Sequence, residues 1–108
     1  MIGLKVSVGK NGNLESVRAE GHSFSNPRGS NIVCAAVSSQ LRSLVRVVES
    51  LDYCDYEIET DDGFLLLVIK HCKDQRWLSG ITDMLLSGLI ETERDFPEEC
   101  KLELTKKS

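Results

Sequence analysis

The chain of 108 residues has little of several things. Two prolines and eight glycines exclude collagen-like and low-complexity classes, and an ordinary apolar content of 41% excludes a disordered chain. Aromatics make up only 6%, and no run of lysine or arginine exists. With 13 basic against 17 acidic residues and a formal charge of -4, the chain is a poor candidate for binding bare nucleic acid by neutralising phosphates. Long apolar runs are missing too. Even the run Phe64 to Ile69 stops at Lys70, far short of the roughly 18 residues that span a bilayer. The start of the chain alternates instead of presenting a charged segment followed by an apolar one, so no secretory signal is read and the expected compartment is cytoplasmic, with no membrane partner. Cysteines 34, 54, 72 and 100 show no close pairing, and they read as thiols of a reducing compartment and not as bridges. What remains is the composition of one ordinary domain, 1–108, with no linker or repeat.

Ile2, Leu4, Val6 and Val8 alternate with small or polar residues, the period of a strand with one buried face. Gly9-Lys10-Asn11-Gly12-Asn13 supplies a turn, and Leu14 to Glu20 returns as a second strand with Val17 and Ala19 inward. Gly21 to Gly29 has turn formers and no period, a longer connection than usual. From Ser30, the expected N-cap, to Leu51, the positions Val33, Val37, Leu41, Leu44, Val48 and Leu51 mark one face of a helix. Tyr53 to Thr60 alternates through Cys54, Tyr56 and Ile58, and Asp61-Asp62-Gly63 turns the chain. Phe64 to Ile69 is apolar on both faces and reads as a central strand covered from either side. Asp74 caps a second helix with Trp77, Ile81, Met84, Leu85 and Leu89 as its stripe, taken as core with part of it possible as a dimer surface; Pro97 ends it near Asp95. Leu102 and Leu104 belong to a last, charged edge strand. The order ββαββαβ predicts an α+β sandwich, two helices packed on an antiparallel or mixed sheet.

Chemistry concentrates where the second strand gives way to the first helix. Cys34 falls in the first turns, where helix amides and the macrodipole favour a thiolate. His22 leaves the preceding strand at the same edge of the sheet, so a loop of this length lets imidazole and thiol meet and exchange a proton. Asn31, Cys34 and Ser38 share a helix face roughly opposite the Val33 and Val37 stripe, with the small Ala35 and Ala36 alongside. Spacing alone leaves a second reading open, in which Cys34 is a core residue and His22 a solvated one. His71 and Cys72 are adjacent, hence on opposite faces of a strand, and neither C-x-x-C nor H-x-x-x-H spacing occurs, so no metal is expected.

The string Gly21-His22, followed by Gly29-Ser30-Asn31-Ile32-Val33-Cys34-Ala35-Ala36-Val37-Ser38, resembles the signature of the ribosomal-processing cysteine proteases called Prp. Their pattern is Gly-His, a spacer, then Gly-x-Asp-Ile-Val-Cys-Ala-Ala-Val-Ser. Length and element order agree over nearly the whole chain. The resemblance implies a small cytoplasmic endopeptidase, generally a homodimer and without cofactor. Such an enzyme removes the N-terminal extension of a bacterial large-subunit ribosomal protein, number twenty-seven of the L series. It implies Cys34 as nucleophile and His22 as general base and acid. Gly21 and Gly29 would frame the loop that receives the peptide, and Ser38 would line the site. Asn31 stands where the family carries Asp, so it can orient an imidazole but adds no charge. A noncatalytic ribosome-associated or regulatory binding module that kept the fold is the alternative. The acidic balance suits a basic partner in either case.

Overall fold

A computed structural model of the protein describes residues 1–21 and 32–107. The elements are β1 (Ile2–Val8), β2 (Leu14–Glu20), α1 (Ile32–Leu51), β3 (Cys54–Asp61), β4 (Phe64–Cys72), α2 (Gln75–Asp95) and β5 (Cys100–Lys106). One sheet runs in the order β3-β4-β2-β1-β5. Three of its pairings are antiparallel and one, β1 with β5, is parallel, so the sheet is mixed. The proposed Ser30 cap lies outside the described residues.

Topology places both helices on one face. α1 carries the chain from β2 past β4 to β3, and α2 carries it from β4 in the opposite direction to β5. Because β2 and β4 are antiparallel, right-handed crossovers in those two directions fall on the same side of the sheet. The expectation that Phe64 to Ile69 is covered from either side is therefore corrected. Leu65, Leu67 and Ile69 face the helices, whereas Phe64, Leu66 and Val68 lie half-buried on the open face. Neighbouring side chains shield them, as where the Arg18 guanidinium sits 5.3 Å from the Phe64 ring centre.

The core lies between the sheet and the helices. Ile2, Leu4, Val6 and Val8 of β1 meet Val33, Val37, Leu41, Leu44 and Val48 of α1 in one cluster with Leu78, Leu85 and Leu89 of α2. Leu51, expected on the buried face of α1, is exposed. The helix ends there, and Asp52 turns the backbone to φ 55.

In α2 the buried stripe is rotated from the expected one: Leu78, Thr82, Leu85, Leu89 and Thr92 are buried, while Met84 is 81% exposed and Trp77 and Ile81 are half-buried. Hydropathy hid this phase because two of its members are threonines. The Thr82 hydroxyl donates to Leu78 O at 2.7 Å and accepts from Leu14 N at 2.9 Å, so burying it leaves nothing unpaired. Asp74 caps the helix as expected, accepting from Trp77 N at 3.0 Å. β5 is an edge strand, and a Glu93 carboxylate oxygen accepts its Leu102 N–H at 2.7 Å.

Candidate active site

Gly21 follows the last residue of β2, and its φ is +97. A side chain there would be strained, and a Cβ would run into the Met1 carbonyl oxygen, so this position requires glycine. The Gly21 N–H donates to Gly63 O at 2.9 Å and ties the end of β2 to the β3–β4 turn. Three chain segments thus converge at one corner of the sheet: the start of β1, the end of β2 and the tip of the second hairpin.

α1 begins over the same corner. Val33 and Val37 are almost fully buried and lock the rotation of the helix, which turns Cys34, one residue on, toward the edge of the layer. Cys34 is half-buried and lines a cavity of about 380 Å³ together with Gly21 and Ser38. Ala19, Val37, Leu41 and Leu65 give this cavity apolar surface, and Arg42, Asp61 and Asp62 give it charge, while the Glu20 carboxylate pairs with Arg18. The cavity suits an extended peptide with apolar side chains next to a thiol at the amino end of a helix.

Gly21, Cys34 and Ser38 are accordingly brought together. His22, Gly29 and Asn31, with the loop 23–28, lie outside the described residues. Sequence reasoning missed the contribution of the second hairpin, namely Asp61, Asp62 and Phe64, and of Arg42. Asp61-Asp62-Gly63 carried a turn signal and no sign that the turn packs beside β2. Arg42 was visible in principle, since it follows Cys34 and Ser38 at steps of four.

The other thiols sit in different surroundings. Cys54, Cys72 and Cys100 are buried. Cys54 and Cys72 face each other across β3 and β4. Burial first, then the hydrogen bond and charge of Cys72, push the Cys54 thiol up to about 12. Burial, and then the Glu93 carboxylate, raise Cys100 above the ordinary thiol range. Such thiols hold their protons at neutral pH and are poor nucleophiles. His71 is exposed and Cys72 buried, on opposite faces as expected. Among the described residues no three metal-ligating side chains gather, and no helix is long and apolar enough to cross a membrane.

Comparison with known proteins supplies further findings. The model of a family described as cysteine protease Prp matches residues 1–101. The chain is similar in fold to the essential ribosomal processing protease Prp from S. aureus in complex with a covalently linked product peptide. That likeness has a TM-score of 0.86 and 24% identity, covering 97% of this chain and 100% of the other. The same S. aureus protease in complex with a substrate peptide gives a TM-score of 0.81 and 23% identity over 97% and 100% of the two chains. SMU.848 from Streptococcus mutans gives 0.82 and 28% over 99% and 96%. No curated protein matches the chain.

Proposed function

Because the chain belongs to the cysteine protease Prp family, we propose that it removes the N-terminal extension of large-subunit ribosomal protein twenty-seven, with Cys34 as nucleophile and His22 as general base and acid. The observation that carries this reading is the placement of Cys34. It alone of the four cysteines opens onto a peptide-sized cavity, at a corner where Gly21 delivers the chain toward His22. The two structures of the S. aureus protease, one with a product peptide and one with a substrate peptide, support a peptide as the occupant of that cavity.

In this mechanism His22 takes the Cys34 thiol proton, the sulfur attacks the scissile carbonyl carbon, and amides at the start of α1 receive the developing oxyanion. The carbon–nitrogen bond breaks as the His22 imidazolium gives its proton to the leaving amine. The remaining acyl thioester is hydrolysed by water, which His22 deprotonates in turn. Ser38 lines the pocket beside the sulfur, and Asn31 orients the ring by hydrogen bonding. The enzyme acts in the cytoplasm as a homodimer. Its acidic charge of -4 favours encounter with a basic ribosomal protein.

The test is incubation with the extended precursor. We expect one defined cut near the end of the extension, seen by mass spectrometry, and its loss in both Cys34→Ala and His22→Ala. A precursor that binds but stays intact would instead support the noncatalytic binding module. A cut at the same bond by either variant would overturn the assignment of roles.

A further inference from the structure

The cavity at Cys34 does not stop beside the thiol. Positions 34, 38 and 42 of α1 are four residues apart, so their side chains stack along one side of the helix, and all three line the cavity. A second hollow continues the first along α1 toward Arg46 and shares Arg42, Thr60 and Leu65 with it. The two form one trough, with α1 as one wall and the β3–β4 hairpin as the other, and Arg42 stands at its waist.

Arg42 is exposed, and among the described residues it takes part in no ion pair or hydrogen bond. Its guanidinium has five donors and no acceptor, so a ligand that hydrogen-bonds to it must offer an acceptor, which in a peptide is an oxygen. A helix rise of 1.5 Å per residue separates positions 34 and 42 by about 12 Å. An extended peptide covers that distance in about three to four residues. Asp61 and Asp62 line the same cavity and repel an acidic side chain, which favours neutral oxygens, and an extended peptide offers a backbone carbonyl at every residue.

We propose that Arg42 is a substrate-binding residue that grips a backbone carbonyl three or four residues from the scissile bond, so that the enzyme demands an extended substrate of minimum length. This rests on the protease reading above. A grip at that distance from the reacting atoms is made equally in ground and transition states, so it acts on KM and leaves kcat nearly unchanged.

The experiment compares wild type, Arg42→Ala and Arg42→Lys on a peptide of the full precursor extension and on two series truncated from either end. Arg42→Ala should raise KM about tenfold on the full peptide, as expected for loss of a charge-assisted hydrogen bond, with kcat within about twofold and partial recovery in Arg42→Lys. In one of the two series, peptides cut to two residues beyond the scissile bond should give wild type and Arg42→Ala equal KM. An unchanged KM on the full peptide overturns the proposal, as does an equal penalty at every peptide length. Peptide affinity is also measured in Cys34→Ala with and without Arg42→Ala, which separates binding from chemistry. A full peptide that wild type leaves uncut, but whose affinity in the Cys34→Ala background falls tenfold on adding Arg42→Ala, overturns the protease reading while supporting the grip.

Discussion

Cys34 and the Cys54–Cys72 pair are the same side chain in two settings, and the contrast shows how little residue type decides. Cys54 and Cys72 sit opposite each other between two strands, under the helix layer, where desolvation holds the Cys54 proton on. Cys34 sits at the rim of that layer, half-buried, facing a cavity floored by β2 and β4. What separates them is the position of the helix start relative to the sheet corner. A thiol enclosed by aliphatic groups contributes packing, whereas a thiol at an opening near helix amides can meet a substrate.

The widest separation should come from activity. Replacing Cys34 by Ala should lower precursor cleavage by about 10⁴-fold or more, the scale seen when a covalent nucleophile is lost. Cys54→Ala should keep the cleavage rate while lowering unfolding free energy by about 1–2 kcal/mol through a small cavity. A Cys54→Ala protein that is folded but inactive would break the contrast.

Alkylation reads the same division without substrate. At pH 7 iodoacetamide should modify Cys34 at least about a hundredfold faster than Cys54 or Cys100, followed by peptide mapping. Equal rates at all four cysteines in the folded protein would contradict it.

Gly21 tests whether the corner of the sheet is what opens the site. Gly21→Ala forces a side chain into φ +97 against the Met1 carbonyl. It should cost about 1–3 kcal/mol in chemical denaturation and lower cleavage more than that loss of stability explains. Unchanged stability would remove the physical reason given for glycine.

Alkaline titration probes the buried pair. Cys54 binds its proton more tightly folded, with a value of about 12, than unfolded at 9.0. Its contribution to stability is complete below pH 9, declines as the unfolded chain ionises above it, and is gone once pH passes the folded value. Wild type should therefore lose stability more steeply than Cys54→Ala between pH 9 and 12, measured by urea unfolding at each pH. Parallel curves would show the thiol is not held as described. The smallest effect is expected at Asn31, where Asn31→Asp should raise turnover a few-fold or shift the pH profile by favouring the imidazolium. An identical profile would make the position indifferent.

Local periodicity was enough for much of this molecule. Alternation in β1 and the three-and-four spacing of α1 report burial directly, because every inward position is apolar from Val33 to Val48. It misled in α2, where Thr82 and Thr92 are buried by virtue of hydrogen bonds that hydropathy does not register. It also misled in β4, where an apolar run on both faces has helices on one side only. The cysteine and glycine of the site were legible from their order in the chain. Its far wall was not, since Asp61, Asp62 and Phe64 come to line the cavity with Cys34 only through strand pairing between β2 and β4.

The amino-acid order by itself settled which segments become strands and helices, and which thiol stands in the first turns of a helix beside a Gly-His step. These are properties of neighbours along the chain. That both helices cover one face, that the second hairpin closes the pocket, and that Arg42 has no partner among the described residues were decided only by tertiary structure. They depend on crossover handedness and on contacts between residues tens of positions apart, which no local pattern encodes.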